Sequence, residues 1–284
     1  MVTDFHSDFL TSKNYVDKIQ NYNASKTRIV AALFRGNFDI KSAVRLCESL
    51  KSLGGKNLFL AFEDFGYQND VHDLEIILHK YNPLYVGLTW NGENNLAFGS
   101  YVSGGLKPRG RRIIDILNEV NVFIDVAHLC SQCVYDVADC ARNILCSHTC
   151  FSDVYEHPRN LSKNEISLIV EREGLVGLTL YSKFLSDKII VTVDDVYAHI
   201  DYFLDKFSED HLAIGTDFYG CNDFPVGFLD YSFEYRLTDY LVSRGYGYQT
   251  IEKILHKSKP TCDPQVRIPD LKAGKDLYAM QSTL

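Results

Sequence analysis

The chain has 284 residues, 46% hydrophobic and 23% charged, an ordinary globular balance in a chain long enough to bury a full core. Its formal net charge of -8 argues against nucleic acid as the main partner, because phosphate recognition needs a basic face. No apolar run approaches membrane-spanning length, and the opening Val2-Thr3-Asp4-Phe5-His6 lacks the charged and apolar regions of a leader, so the expectation is a cytoplasmic protein with no membrane partner.

Short β-rich runs alternate with amphipathic windows along the chain. Strands are predicted at Thr3–Phe9, Arg28–Phe34, Asn57–Glu63, Leu84–Thr89, Val122–Ala127, Ile144–His148, Leu175–Leu180 and Leu212–Asp217. Between them, Asp39–Leu53 carries Ile40, Ala43, Val44, Cys47 and Leu50 at helical spacing, and Val71–Tyr81, Pro108–Val120 and Ser131–Arg142 read the same way. Ser162-x-x-Glu165 and Thr192-x-x-Asp195 are capping-box starts for helices reaching Glu173 and about Phe207. Tyr231–Arg244 and Thr250–Lys257 close the helical series. About eight strands alternating with about eight helices is the α/β pattern of a (β/α)8, TIM-like barrel of the metal-dependent hydrolase type. A doubly wound open sheet is the alternative; the strand count and the spread of polar groups over several strand ends favour the barrel. Residues 1–258 are expected to form this single barrel, with 259–284 a polar tail packed on it or extending from it.

Eight cysteines are present, five of them between Cys130 and Cys150, in segments that read as core strand and helix. Reduced thiols are expected rather than a disulfide framework. Cys130-Ser131-Gln132-Cys133 has redox spacing without a thioredoxin-like context. His72 and His79 read as surface residues of one helix.

The strand ends carry the chemistry. In order they offer His6-Ser7-Asp8, Glu63, Asp125-Val126-Ala127-His128, Ser147-His148 and Thr216-Asp217. In a barrel these positions converge on one mouth. Burying so many imidazoles and carboxylates without partners is costly, and one or two cations would supply the partner. Imidazole and carboxylate oxygen are common ligands of zinc. His6 and Asp8, two apart, are expected on one side of their strand. Glu63 is placed to bridge two ions. Singly, each has a blander reading: core histidines, a strand-end glutamate, and a helix cap at Asp217.

In this order and spacing, the chain resembles the membrane dipeptidase (renal dipeptidase) family of the amidohydrolase superfamily. The matching segments run from Asp4-Phe5-His6-Ser7-Asp8 through Phe62-Glu63-Asp64, Leu88-Thr89-Trp90-Asn91 and Gly105-Leu106-Lys107-Pro108-Arg109-Gly110. They continue through Ile124-Asp125-Val126-Ala127-His128, Cys146-Ser147-His148 and His157-Pro158-Arg159-Asn160-Leu161, and end at Val176–Tyr181 and Gly215–Gly220. The resemblance implies two divalent cations, zinc by ligand type. His6 and Asp8 would hold one, His128 and His148 the other, and Glu63 both. It further implies that Arg159 grips the substrate carboxylate, that Tyr181 contacts substrate, and that Asp217 is the acid/base beside a bridging hydroxide. The implied activity is hydrolysis of small dipeptides with a free C-terminal carboxylate, in a protein often found as a homodimer. The rivals are a degenerate, non-catalytic binding protein and another amidohydrolase, such as an amidase or a peptide-trimming enzyme. Three departures stand out. Trp90 occupies a position where many members carry a histidine, and indole can donate one hydrogen bond but cannot titrate, although it can stack on an apolar substrate side chain. The asparagine-containing motif after the last helix is missing, and the chain is shorter than most members.

Overall fold

The structure is a computed structural model that describes residues 2–10, 27–34, 57–67 and 80–256, with the isolated positions Arg45, Glu48 and Leu78. The expected tail 259–284, His72 and His79, and most of the windows 39–53 and 71–81 lie outside the described residues. Eight strands close into one parallel barrel in chain order: β1 (Thr3–Ser7), β2 (Arg28–Phe34), β3 (Leu58–Glu63), β4 (Tyr85–Gly87), β5 (Phe123–Asp125), β6 (Ile144–Thr149), β7 (Val176–Leu178) and β8 (Leu212–Ile214). The ring is sealed where Asp4 of β1 pairs with Ile214 of β8.

Side chains alternate across each strand, so every second residue faces the axis. One layer of the interior takes a residue from each turn of the ring: Phe5, Val30, Ala61, Tyr85, Phe123, Leu145, Leu175 and Ala213. Large and small residues share this layer, which fills the taper of the barrel. Two residues further along, the same inward alternation delivers Glu63, Asp125 and Ser147 towards the C-terminal mouth.

The outer face packs under the helices α1 (Pro108–Glu119), α2 (Ser131–Cys140), α3 (Lys163–Val170), α4 (Ser182–Leu185), α5 (Val193–Lys206), α6 (Phe233–Ser243) and α7 (Tyr248–Leu255). Both capping boxes form. Ser162 and Glu165 exchange hydrogen bonds at the start of α3, and Thr192 and Asp195 do so at α5. The helix α3 stops at Val170, short of the expected Glu173, because Glu173 itself turns left-handed at φ 56° and ends the ladder.

Several strands are also shorter than their sequence runs. The missing residues have left the ladder to serve the mouth. His128, Asp217 and Asp64 follow their strands with positive φ of 67°, 61° and 53°. Non-glycine residues pay for that conformation, and such strain concentrates at functional sites.

Candidate metal centre

Two strand irregularities aim the central imidazoles. The register of β1 against β2 shifts between Asp4 and Ser7, and that of β6 against β7 shifts between Cys146 and Thr149. His6 and His148 lie inside these shifts. A bulge re-aims a side chain that strict alternation would send elsewhere, and here it brings the two rings to 3.7 Å between centroids. The Ser147 carbonyl is thrown against β7 and β8. A Cβ on Gly177 or on Gly215 would stand 1.9 Å from that oxygen, so only glycine fits at either position. Gly220 makes room in the same way, since a Cβ there would fall 2.0 Å from Asp8 Oδ2 and 2.3 Å from Asp217 Oδ1.

The five sequence-derived ligands and Asp217 meet at the mouth. Glu63 Oε1 lies 2.7 Å from His128 Nε2, and its Oε2 lies 3.5 Å from His6 Nε2. The Nε2 atoms of His128 and His148 are 2.8 Å apart. Donor atoms of His6, Glu63 and His148 fall within 4.8 Å of one another, as do those of His6, Asp8 and Asp217. Glu63 and His6 thus sit at the centre, as a bridging carboxylate and its neighbour would. Asp217, 3.9 Å from His6 Nε2, stands among the donors as well as beside them.

Hydrogen bonds set the tautomers. The Tyr85 hydroxyl donates to the Phe5 carbonyl at 3.0 Å and so accepts from His6 Nδ1 at 2.8 Å. Ser147 Oγ donates to Asp125 Oδ2 at 2.6 Å and accepts from His148 Nδ1 at 2.8 Å. His128 Nδ1 donates to Asn91 Oδ1 at 2.8 Å. With each Nδ1 committed, the Nε2 atoms of all three rings turn to one small volume around the Glu63 carboxylate. His6 Nε2 is buried there without a hydrogen-bond partner. Neutral nitrogens aimed at each other gain nothing unless a cation lies between them, and metal-bound histidines are held by their other nitrogen in this way. The residues present therefore fit a divalent cation.

The electrostatics agree. Burial opposes a charge on His6, yet the adjacent Glu63 carboxylate, with Asp8 and Asp217 beyond, pushes it up to about 10. The three carboxylates around His6 favour positive charge at that point, which a metal ion would supply as well as a proton. Burial also opposes the Glu63 carboxylate, but His128 and His6 hold it well below the usual range. Burial, with Arg159 nearby, takes His128 down to about 4, and His148 is lowered as well. Burial raises Asp217 to about 6, against the pull of His6.

The other sequence-derived residues divide. Trp90 and Tyr181 line a cavity of about 660 Å³ above the donors, shared with Tyr101, His157, Phe184 and Lys183. Trp90 is 46% exposed, and its ring stands 6.1 Å from that of His128. Arg159 is not on the cavity wall. It is buried beneath it, donating from Nη2 to His148 Nε2 at 3.1 Å and stacking on Phe184, with Nε unpartnered. The thiols of Cys130 and Cys133 turn away from the mouth to the Gly104 carbonyl at the start of α2, and the six described cysteines are unpaired. Tyr85, Asn91, and the pair Asp125 and Ser147 are parts of the site that strand-end reading assigns no role. Asp125 and Ser147 do fall within the motif segments; Tyr85 carries no sequence signal beyond its place in a strand.

The sequence pattern of the membrane dipeptidase family (Peptidase family M19) matches residues 68–258. The chain belongs to that family. It is 29% identical over 211 residues to an uncharacterized protein in the pqqA 5' region of Klebsiella pneumoniae, covering 68% of this chain and 75% of the relative. To the dipeptidase tcpJ of Claviceps purpurea it is 25% identical over 186 residues, 63% of this chain and 44% of the relative. An uncharacterized dipeptidase of Schizosaccharomyces pombe shares 28% over 170 residues, 55% of this chain and 40% of the relative, so the chain spans less than half the length of both curated dipeptidases. A metallopeptidase from Rhodobacter sphaeroides, crystallised with a phosphinate mimic of the dipeptide L-Ala-D-Ala, superposes with a TM-score of 0.78 at 18% identity, over 90% of this chain and 96% of that one. An amidohydrolase from Pseudomonas aeruginosa superposes at 0.65 and 23% identity, over 89% and 83%. These likenesses show the TIM-like barrel of the family's dipeptidases.

Proposed function

We propose that this chain is a binuclear metal-dependent dipeptidase that hydrolyses small dipeptides with a free C-terminal carboxylate. The observation that carries the reading is the gathering of three imidazole Nε2 atoms and the Asp8 and Asp217 carboxylates around Glu63 and His6, with every Nδ1 already committed. Two divalent cations, zinc by ligand type, held by His6, Asp8, Glu63, His128 and His148 would supply an activated water and polarise the scissile carbonyl.

The remaining steps fall to side chains. Asp217, raised to about 6 by burial, takes a proton from the attacking water and returns it to the leaving amine near neutral pH. Arg159 has one buried donor unspent and a planar fork suited to a carboxylate, which supports giving it the substrate's C-terminus. Tyr181 and Trp90 wall the cavity in which the two substrate residues lie.

The test is the Asp217→Asn protein, assayed on a panel of L,L- and L,D-dipeptides after metal loading. Loss of the base should lower kcat by roughly 10²–10⁴ while metal content and KM stay near wild type. Full activity on dipeptides would remove Asp217 from the proton path. Loss of a metal would make it a ligand.

A further inference from the structure

Lys183 is the one lysine or arginine among the described residues that line the mouth cavity. It stands on α4, a helix of only four residues that is tightly fixed. Ser182 N–H donates to the Asp223 carbonyl, and the Phe184 and Leu185 carbonyls accept from Asn160 Nδ2 and His199 Nε2. Ser182, Phe184 and Leu185 are buried, and Lys183 alone of the four is exposed. The helix therefore presents one ammonium to the cavity from a rigid base. Its ammonium lies near the hydroxyl of Tyr181.

Its lack of a countercharge is the second observation. Of the described lysines, Lys80, Lys107, Lys188, Lys206 and Lys253 each hold a carboxylate within 3.2 Å; Lys163 and Lys183 hold none, and of those two only Lys183 lines the cavity. Lys183 pairs with no carboxylate among the described residues. An ammonium without a carboxylate partner, on a cavity that Asp8, Glu63 and Asp217 also line, is a place for a negative group brought by the substrate.

The barrel order says which part of the substrate that is. Lys183 follows β7, which pairs directly with β8, the strand that leads to Asp217. Asp217 serves the leaving amine in the proposed mechanism, so the neighbouring ammonium lies on the side of the C-terminal residue. The backbone carboxylate of that residue is assigned to Arg159, beyond Phe184 on the β6 side. We infer that Lys183 receives a side-chain carboxylate, and that the site prefers dipeptides whose C-terminal residue is aspartate or glutamate. This inference rests on the dipeptidase reading for its orientation.

The experiment compares Ala-Glu with Ala-Ala, in both stereochemical series, on metal-loaded wild type and on Lys183→Met. Lys183 is exposed, so the variant keeps the fold. An exposed ion pair is a modest effect, so wild-type kcat/KM should favour Ala-Glu by roughly three- to fivefold at low ionic strength. High salt should erase the preference by screening, a response that a packing role would not produce. Lys183→Met should bring the ratio to that of the high-salt wild type, and Lys183→Arg should retain it. A ratio untouched by Lys183→Met overturns the inference. So does an equal loss on both substrates, which would put the ammonium on the terminal carboxylate. If wild type turns over neither peptide, the dipeptidase reading fails by itself. Calorimetric binding of Ala-Glu and Ala-Ala to wild type and Lys183→Met then decides the role of Lys183 without turnover, with tighter Ala-Glu binding lost in the variant as the expected result and equal affinities as the contrary one.

Discussion

The Ser147 hydroxyl touches Nδ1 of both central imidazoles, His148 at 2.8 Å and His6 at 3.3 Å, while giving its own proton to Asp125. One buried hydroxyl thus orients rings from β1 and β6. Ser147→Ala would leave His148 free to turn and Asp125 Oδ2 short of a donor. The variant should still fold, at a cost of about 1–3 kcal/mol, but should bind zinc about 10–100-fold more weakly, as read by competition with a chelating dye. Unchanged affinity would show that packing alone holds the rings. The proposed ligands are legible in the sequence, because His6, Glu63, His128 and His148 each fall at or just after the end of a β-rich run. Their partners are not legible from position alone. Tyr85, Asn91 and Ser147 meet the imidazoles only after the barrel closes, and Tyr85 looks like any buried strand aromatic. The inward burial of Arg159 is likewise invisible until Phe184 and His148 are placed around it.

His199 shows how the helices hold the loops beneath the mouth. It lies on α5, accepts from the Phe151 N–H at Nδ1 and donates from Nε2 to the Leu185 carbonyl. Both bonds require the neutral ring, because a proton on Nδ1 would face the Phe151 N–H. Burial holds its pKa down to about 4, against an ordinary 6.5. The unfolded chain therefore takes up this proton between pH 6.5 and 4 while the folded chain refuses it. The stabilisation is complete above pH 6.5 and is lost as the pH falls through 4, a change of about 3 kcal/mol. Asp4, raised to about 6 by burial, acts with the opposite sign, losing stability as the pH rises towards 6, so the comparison must be with a His199 variant. Denaturant unfolding of wild type and His199→Gln at pH 7 and 4.5 should show the smaller acid loss in the variant; equal losses would contradict the assignment. The order and type of the elements follow from periodicity, and both capping boxes start where their sequence signatures stand. Strand ends do not follow, because β1 and β6 carry register shifts and three strands are followed by left-handed residues. These departures serve the site, and no local hydrophobic pattern encodes them.

The whole molecule joins an acidic chain to a mouth floored by carboxylates, a combination that repels anionic substrates unless cations are bound. The family match and the barrel provide the scaffold, and Trp90 and Lys183 are among the walls of this mouth. Everything proposed about turnover depends on the floor being a two-metal site. The most direct measurement is metal stoichiometry: purified chain stripped with chelator, reloaded with zinc, desalted and read by elemental analysis, beside His128→Ala treated identically. The account predicts about two zinc ions per wild-type chain, as the five-ligand set implies, and fewer in the variant with its fold retained by circular dichroism. A well-folded wild-type chain holding no zinc would contradict it.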